Sequence, residues 1–492
     1  MNDTKNDRVK SPRKGSSQQD RLVQAAECRV APAHGTDGTE YIARTESPHI
    51  VTAISPKSPA VDEVVKAYQL KYGKSVSSSS VRVLVDHLER EARAMPREAI
   101  HMRSAHVDGN LWIDTAWACG SVLKVGRSGW HVQDTTPVRF LRGAAAAPLA
   151  DPREVTGSVD LLKRYVNCDD DDFALALAAL IASWFDDAPQ PILALFGPAD
   201  AGKSTAMQML VDLVDPRGRF AGVPFDGDQR EIKSLASLSR VLCYDNVSHL
   251  RADESDQIAR IATGTSMVNR RLYSDADVHI TELMRPVWLN GIMSGFSRGD
   301  LASRAVMLNL LPIESSKRLD RSMMDAQWDM DRAAILAGLL DLTVHVLRRR
   351  EDISAEGAHR MAEYRRVLAV IDDVRGSAGL ARLSRQAQDL SDQVLDSTTL
   401  GMALRQMIQC HRDETDCLDV PHLGTPLTSA DLRRHLVAHL IDERQHRDLP
   451  PTDAQLKTHV TRLMPDIERV LGVRAENADT KRARRVKFVD LR

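Results

Sequence analysis

The sequence predicts an α/β core, with a small α+β domain before it and helices after it. An apolar run at Ile192–Phe196 has the length and composition of a buried strand. It leads into the glycine-rich pattern G-x-x-x-x-G-K-S at 197–204, which is followed by apolar residues at helical spacing. Two later apolar runs, which end at Asp245 and Asn290, indicate further strands of the same core.

The segment 197–205, called the glycine loop below, has the composition of a phosphate-binding loop. Its glycines let the backbone curl so that N–H groups point at phosphate oxygens, and the following helix adds partial positive charge. Lys203 can reach β- and γ-phosphates, and the Ser204 hydroxyl can bind Mg²⁺. We expect a nucleotide to be bound by Gly197, Pro198, Ala199, Asp200, Ala201, Gly202, Lys203, Ser204 and Thr205.

The composition of the whole chain is ordinary for a globular protein. Of 492 residues, 43% are hydrophobic and 27% are charged, and this length suggests roughly two to four domains. The net charge of −2 gives no general attraction to nucleic acid, so any such contact needs local basic patches. Scattered cysteines, a polar N-terminus and the lack of a long apolar run favour a cytoplasmic protein without a membrane segment.

Two parts precede the core. Residues 1–48 are rich in charged and small polar residues, and we expect a disordered tail. Residues 49–150 predict the small α+β domain, because helical patterns there give way to alternating segments. Asp108–Gly109 and Arg127–Gly129 each separate two such segments and predict β-hairpins.

The core is expected over residues 155–315. The acidic run Asp169–Asp172 is interpreted as the first turn of a helix, where carboxylates are favoured. Asp245, at the end of its strand, can orient Mg²⁺ and its water shell. Asn290, at the end of the next apolar run, can hydrogen-bond a γ-phosphate or the attacking water, although Asn-Gly is also a common turn pair.

Arginines in the second half of the core have two possible roles. Arg304 can neutralise charge at the γ-phosphate of a neighbouring subunit, or it can be a surface or helix-end residue. Arg270 and Arg271 stand beside a tyrosine and before a turn-rich segment, which predicts a hairpin. Their cations can meet DNA phosphate, or they can form a solvated charge pair.

The order of these features resembles the superfamily 3 helicase domain, a ring-forming branch of the AAA+ ATPases. The likeness is to phage and mobile-element ATPases of the primase–helicase type, and it covers residues 155–315 well. It implies ATP and Mg²⁺ as cofactors, with Lys203 and Ser204 on phosphate and metal. It also implies that Asp245 is the acid of the second motif and Asn290 the sensor.

The resemblance further implies an assembly on DNA. Arg304 would be a trans-acting finger in a homo-oligomeric ring, which we expect to be a hexamer, and Arg270 and Arg271 would lie on a DNA-facing hairpin. Single-stranded or forked DNA is the expected partner. The chain before residue 150 lacks the clustered acids of a two-metal polymerising site, so a separate primase is a further candidate partner.

The chain departs from the family at one position. A second acid usually follows the acid at the strand end, and here that position is Asn246. A carboxylate that takes a proton from water would then be missing. Asp245 serves both roles, or another acid such as Asp253 or Glu254 moves in, or hydrolysis is slow.

Two regions follow the core. Residues 316–425 predict a helical region, and residues 426–492 predict a module that looks like a winged helix. Thr428 and Thr452 are expected to cap two helices, and a third short helix is expected from Pro465. DNA contacts are expected from basic residues of the second helix and of a final hairpin, with a protein-binding module as the alternative. These residues are Lys457, Arg462, Lys481, Arg482, Arg484, Arg485 and Lys487.

Three functions fit these patterns. The first is an ATP-driven DNA helicase or DNA-remodelling ATPase of a phage or mobile-element replication system. The second keeps ATP binding but not strand separation, as in an ATP-gated origin-binding initiator. The third is a small-molecule phosphotransferase, which the length of the chain, the position of Arg304 and the basic C-terminal hairpin argue against.

Overall fold

The structure is a computed structural model, and its described residues form three successive regions of helices and strands. It describes residues 17–218, 222–248, 250–270, 278–291, 301, 304–314, 316, 318–354, 361–412, 423–440, 448–478 and 485–491. The N-terminal region contains α1 (Gln18–Glu27), β1 (Val30–Gly35), β2 (Glu40–Arg44), β3 (Ser47–Ala53), α2 (Pro59–Tyr72), α3 (Ser78–Ala94), β4 (Arg97–Glu98), β5 (Ile100–His101), β6 (Ser104–Val107), β7 (Asn110–Asp114), β8 (Val122–Gly126), β9 (Gly129–Gln133) and β10 (Arg139–Leu141).

The core and the C-terminal region supply the other elements. The core contains α4 (Asp170–Trp184), β11 (Ile192–Phe196), α5 (Lys203–Val214), α6 (Gln229–Leu238), β12 (Leu242–Val247), α7 (Ala252–Thr263), β13 (Thr265–Arg270), β14 (Val278–Leu283), β15 (Val287–Gly291) and β16 (Ala305–Asn309). The C-terminal region contains α8 (Arg321–Arg349), α9 (Ala362–Arg375), α10 (Gly379–Asp396), α11 (Thr399–Arg412), β17 (Leu427–Thr428), α12 (Ser429–Ala438), α13 (Asp453–Leu471), β18 (Val473–Asn477) and β19 (Arg485–Asp490).

A four-stranded parallel sheet forms the centre of the core. Its order is β12-β15-β11-β16, so the strand before the glycine loop is an inner strand. Every residue of β11 and β15 is buried, as expected for parallel strands that are covered on both faces. Val223 adds a short parallel bridge to Tyr244 on the outer side of β12. The α/β core is therefore present as the sequence predicts.

Helix α4 begins as predicted from the acidic run. Asp169 is its N-cap, and its side chain accepts a hydrogen bond from the backbone N–H of Asp172 at 2.7 Å. Asp172 itself is fully buried, and its carboxylate accepts from Arg382 of α10 at 2.7 Å and from the backbone N–H of Asn309 at 3.0 Å. This carboxylate therefore joins α4, β16 and α10.

Replacing Asp172 by alanine should destabilise the protein by about 3–5 kcal/mol, because it leaves the guanidinium of Arg382 without its buried partner. Urea unfolding followed by circular dichroism measures the change. Asp170→Ala is the matched control, since the Asp170 carboxylate on the same turn is exposed and pairs with Lys163 at the surface. Equal losses of stability in the two variants would contradict the assigned role of Asp172.

The prediction of a disordered tail over residues 1–48 is wrong for the described residues 17–48. They form α1, β1, β2 and the start of β3. Leu22 is fully buried in one cluster with Val61 and Leu88. Ser17 and Asp20 form a capping box at the start of α1, a signal that the polar composition of the segment obscured.

The predicted α+β domain consists of two sheets that are more extensive than expected. The first has six strands in the order β4-β1-β2-β3-β10-β5, so it draws strands from the presumed tail. The second contains the two predicted hairpins, β6–β7 and β8–β9, which are confirmed. Leu111 and Leu123 of this second sheet pack in the same cluster as α4 and α8, so the sheet is continuous with the hydrophobic packing of the core.

A buried ion pair also joins the N-terminal region to the core. Arg103 is 3% exposed, and its Nε donates to Asp215 at 3.1 Å, directly after the end of α5. The same carboxylate accepts the backbone N–H groups of Arg240 and Val241 at 2.7 and 3.1 Å. The two regions thus share polar as well as apolar contacts.

The C-terminal region ends in a helical module with a three-stranded sheet, in the order β17-β19-β18. Thr428 and Thr452 cap α12 and α13, as predicted. The expected break at Pro465 is wrong, because α13 runs through it without interruption. Buried residues on both sides of the proline, Leu456 and Ile467 among them, share one cluster, and their burial offsets the hydrogen bond that a proline removes.

The C-terminal module also begins earlier than residue 426. Helix α11 contributes Leu404 and Ile408 to the same buried cluster as α12 and α13. Within the described part of the chain, no helix combines the length and apolar character needed to span a membrane.

Candidate functional site

The glycine loop joins the carboxyl end of β11 to the amino end of α5. Gly202 is the N-cap of α5 and has a φ of 77°, in the left-handed region that favours glycine. A side chain at Gly197 would place its Cβ 2.8 Å from the carbonyl oxygen of Leu310, so this position requires glycine as well. The loop therefore adopts a conformation that depends on both glycines of the sequence pattern.

Lys203 folds back over the loop. Its Nζ donates hydrogen bonds to the carbonyl oxygens of Gly197 and Pro198 at 2.9 and 2.8 Å. A bound phosphate would offer this ammonium group stronger, charged acceptors than the two carbonyl oxygens.

Ser204 contacts two other predicted site residues, Asp245 and Asn290, at the carboxyl edge of the sheet. The Ser204 hydroxyl donates to Asp245 Oδ1 at 2.9 Å, and Asn290 Nδ2 donates to Ser204 Oγ at 3.3 Å. Asn290 Oδ1 accepts the backbone N–H of Asn246 at 2.7 Å. A hydroxyl and a carboxylate at this separation form an oxygen donor set of the kind that Mg²⁺ binds in such sites. Three separate chain segments are thus held together around one oxygen-rich position.

The strand that carries Asp245 is otherwise uncharged near its end. Burial raises the pKa of the preceding Cys243 thiol to about 11 and also raises the pKa of the Tyr244 hydroxyl. Both groups are neutral at physiological pH, so neither supplies a second negative charge beside the Asp245 carboxylate.

Asn246 and the two acids that could replace the missing base, Asp253 and Glu254, have different surroundings. Asn246 has a φ of 56° and an exposed side chain, while its backbone N–H is engaged by Asn290. Glu254 accepts from the backbone N–H of Arg251 at 2.7 Å and pairs with the guanidinium of Arg251 at 2.8 Å, at the start of α7. Asp253 is exposed on the same turn. Glu254 is thus engaged in capping a helix.

Asn246→Asp should raise ATP-dependent phosphate release about tenfold or more, because a carboxylate there can accept a proton from water. Aspartate tolerates the left-handed backbone at this position. Steady-state phosphate release measures the effect. Asn246→Gly, which is also compatible with the backbone but carries no carboxylate, is the control. An equal rate in the two variants would show that a base at 246 is not what limits hydrolysis.

Arg304 lies at the amino ends of the parallel strands, whereas the glycine loop lies at their carboxyl ends. Its carbonyl oxygen accepts the backbone N–H of Ile192, the first residue of β11, whereas the loop follows the last residue of that strand. β11 has five residues, which separate the two positions by roughly 16 Å at about 3.3 Å per residue. The structure therefore does not bring Arg304 to the glycine loop of its own chain.

The predicted DNA-contacting residues are distributed over two hairpins and one helix. Arg270 ends β13, which pairs with β14 in the predicted hairpin, and Arg271 lies outside the described residues. Arg462 is exposed and Lys457 half-buried on α13. Arg485 and Lys487 alternate with buried Val486 and Phe488 on β19. The predicted residues Lys481, Arg482 and Arg484 lie outside the described part of the chain.

Sequence patterns did not indicate Arg318, which lies beside the loop. Its Nη1 is 3.5 Å from Asp200 Oδ2, and its Nε donates to the Ile313 carbonyl oxygen at 3.4 Å. The segment after β16 reaches the loop because parallel strands leave the sheet at the same edge. Topology, rather than a local motif, was the signal that could have indicated this cation.

The chain is thus an α/β protein whose candidate site lies at the carboxyl ends of parallel strands, the edge at which open α/β sheets bind ligands. Residues 159–393 match the sequence model of a family described as the actinomycete integrative conjugative element replication protein. Over this range the chain is similar to replication proteins of that family. No curated protein matches the chain significantly.

Two kinds of solved structure are similar to the chain. The apo C-terminal region of NrS-1 is 11% identical, with a TM-score of 0.40, and the likeness covers 96% of this chain and 100% of that one. A structure of JCV helicase with a bound small molecule is 13% identical, with a TM-score of 0.22, over 45% of this chain and 66% of that one.

Proposed function

We propose that this protein is an ATP-hydrolysing DNA helicase or DNA-remodelling motor in the replication system of a mobile genetic element. One observation carries the proposal: Ser204 of the glycine loop is hydrogen-bonded to both Asp245 and Asn290. The match of residues 159–393 to a replication-protein family supports the replicative context.

The residues of the loop and of the two strand ends have distinct tasks in this proposal. Lys203 exchanges the carbonyl oxygens of Gly197 and Pro198 for β- and γ-phosphate oxygens of ATP. Ser204 and Asp245 hold Mg²⁺, which neutralises charge on the phosphates when it is bound. Asn290 orients the attacking water or the γ-phosphate, and its bond to the Asn246 backbone connects that contact to β12.

A complete site needs a second subunit in this proposal. The separation of Arg304 from the glycine loop of its own chain supports a finger that acts on a neighbouring molecule. A closed homo-oligomeric ring, which we propose to be a hexamer, satisfies this arrangement for every subunit.

The C-terminal module is proposed to bind DNA as a winged helix. Helix α11, strand β17, helices α12 and α13 and the hairpin β18–β19 follow one another in the order of that motif, which supports the assignment. Exposed Arg462 on α13 would approach a groove, while Arg485 and Lys487 on β19 would lie along phosphates. The hairpin β13–β14 with Arg270 would provide a second contact to single-stranded DNA.

The test is strand displacement on a forked duplex, measured together with phosphate release. We expect ATP-dependent displacement and a rate of phosphate release that rises when single-stranded DNA is added. No turnover above that of a Lys203→Ala variant would contradict the motor. Asn246, in place of the usual acid, favours the alternative of an ATP-gated initiator. That alternative predicts nucleotide-dependent assembly on duplex DNA without displacement.

A further inference from the structure

A cleft lies between the six-stranded N-terminal sheet and the core, beside α6 and β14. It consists of two adjoining cavities of about 810 and 440 Å³, which share Arg285 among their lining residues. The larger volume is within the range of small-molecule sites, roughly 300–1,000 Å³. Arg285 precedes β15, so the cleft lies at the amino edge of the parallel sheet, away from the glycine loop. It is therefore a separate space from the candidate site described above.

The guanidinium of Arg285 lines this cleft with an unused donor. Its Nη1 donates to the Met284 carbonyl oxygen at 3.2 Å, but its buried Nε has no hydrogen-bond partner among the described residues. Arg240 lies nearby, and its donors are occupied by the carbonyl oxygens of Ser183, Met284 and Phe185. Burial, together with the charge of Arg240, lowers the pKa of Arg285 to about 10. An oxyanion would stabilise a guanidinium in these surroundings.

Two carboxylates that line the cleft already have partners. Asp186 accepts from the His101 ring, and Asp37 accepts from the Tyr41 hydroxyl at 3.0 Å. Glu282, the remaining carboxylate of the lining, is exposed, while Lys233 of α6 adds a second cation. The group that best complements Arg285 is therefore an anion brought by a ligand.

The rest of the lining suits the non-ionic part of such a ligand. Ile100, Met102 and Leu141 supply apolar surface, and α6 contributes the hydroxyls of Ser234 and Ser237. Apolar surface combined with a small number of polar and charged groups is the usual composition of a small-molecule site.

We propose that this cleft binds a phosphorylated nucleoside, with its phosphate on Arg285 and its ring system against Ile100, Met102 and Leu141. A free mononucleotide and the 5′-phosphate end of a nucleic-acid strand offer the same chemistry. Arg285 lies between β14 and β15, so the ligand holds the segment that joins the hairpin β13–β14 to the strand that carries Asn290. The site is additional to the proposed ATPase function and does not depend on it.

Binding is tested by fluorescence titration of the full chain carrying Lys203→Ala, so that the glycine loop is disabled. The probes are labelled AMP and a short single strand with a 5′-phosphate, together with its dephosphorylated twin. We expect saturable binding of AMP or of the phosphorylated strand. Adding Arg285→Gln should weaken it at least about tenfold, as expected for the loss of a charged hydrogen bond.

Two further variants separate the site from general effects on folding. Ala53→Trp adds bulk to the wall of the cleft while Arg285 stays in place, and it should weaken binding as much as Arg285→Gln. Leu70→Trp, at a position of α2 that is 89% exposed, should leave binding unchanged. Thermal unfolding of each variant verifies that it is folded.

The outcomes distinguish a free mononucleotide from a strand end as the ligand. They also distinguish this inference from the proposed ATPase function. Binding of AMP identifies a mononucleotide, and binding of the strand only when it is phosphorylated identifies a strand end. The inference is overturned by equal affinity with and without Arg285→Gln, by displacement of the probe with equimolar inorganic phosphate, or by no binding of either probe. Failure of the proposed function is detected separately, as phosphate release by the wild-type chain that does not exceed that of Lys203→Ala, and it leaves binding of these probes to the cleft unaffected.

Discussion

Replacing Lys203 by alanine should lower ATP-dependent phosphate release by at least about 100-fold, the scale on which enzymes lose activity with one preorganised charged donor. Lys203 Nζ already lies over the glycine loop, within hydrogen-bond distance of two of its carbonyl oxygens. A steady-state phosphate assay at saturating ATP measures the loss, and titration with a fluorescent ATP analogue shows how much of it is binding.

The control for this variant is Lys66→Ala, which removes an exposed lysine from α2. It should keep the wild-type rate. A Lys203→Ala variant with near-normal turnover would mean that the glycine loop is not the catalytic phosphate site.

Arg304→Ala should leave nucleotide binding within a few-fold of wild type and reduce turnover roughly 10³-fold, as expected for an arginine finger. The physical reason is its position at the far edge of the sheet from the glycine loop of its own chain. Binding and turnover are measured on the same preparation, so that a loss of folding would be seen in both. Arg44→Ala, on β2 of the N-terminal sheet, is the matched control.

A mixing experiment makes the prediction specific for action in trans. Lys203→Ala subunits retain Arg304, and Arg304→Ala subunits retain the loop, so mixed assemblies contain some intact sites. We therefore expect a mixture of the two inactive variants to recover part of the wild-type activity. The active interfaces are those at which an intact glycine loop meets an intact Arg304. A mixture no more active than the sum of its parts, or an Arg304→Ala variant with normal turnover, would contradict a shared site.

Sequence reasoning succeeded where the signal was local. The glycine loop, the Asp169 cap, the Asp108–Gly109 hairpin and the Thr428 cap each depend on a few consecutive residues whose backbone needs are specific. Such features are encoded by residue types that tolerate a turn or satisfy a helix end, so they can be recognised without knowledge of the tertiary fold.

Sequence reasoning failed where the structure of a segment depends on partners that are distant in the chain. Residues 17–48 are polar in composition, yet β1 and β3 are stable because they pair with β4 and β10, far along the chain. The sequence predicts a helix boundary at Pro465, and only the buried cluster on both sides explains why α13 continues. Arg318 and the cleft at Arg285 arise from the meeting of separate elements, and no local pattern marks such a meeting.

Because Arg103 is buried against Asp215 and the β6–β9 sheet packs against α8, we do not expect the core to fold as an independent domain. A fragment that began after residue 150 would expose the apolar faces of α4 and α8 and would leave Asp215 without its guanidinium. Genetic shuffling that transferred only the core to another chain would have to replace that covering surface. The N-terminal sheets and the core are therefore expected to be inherited together.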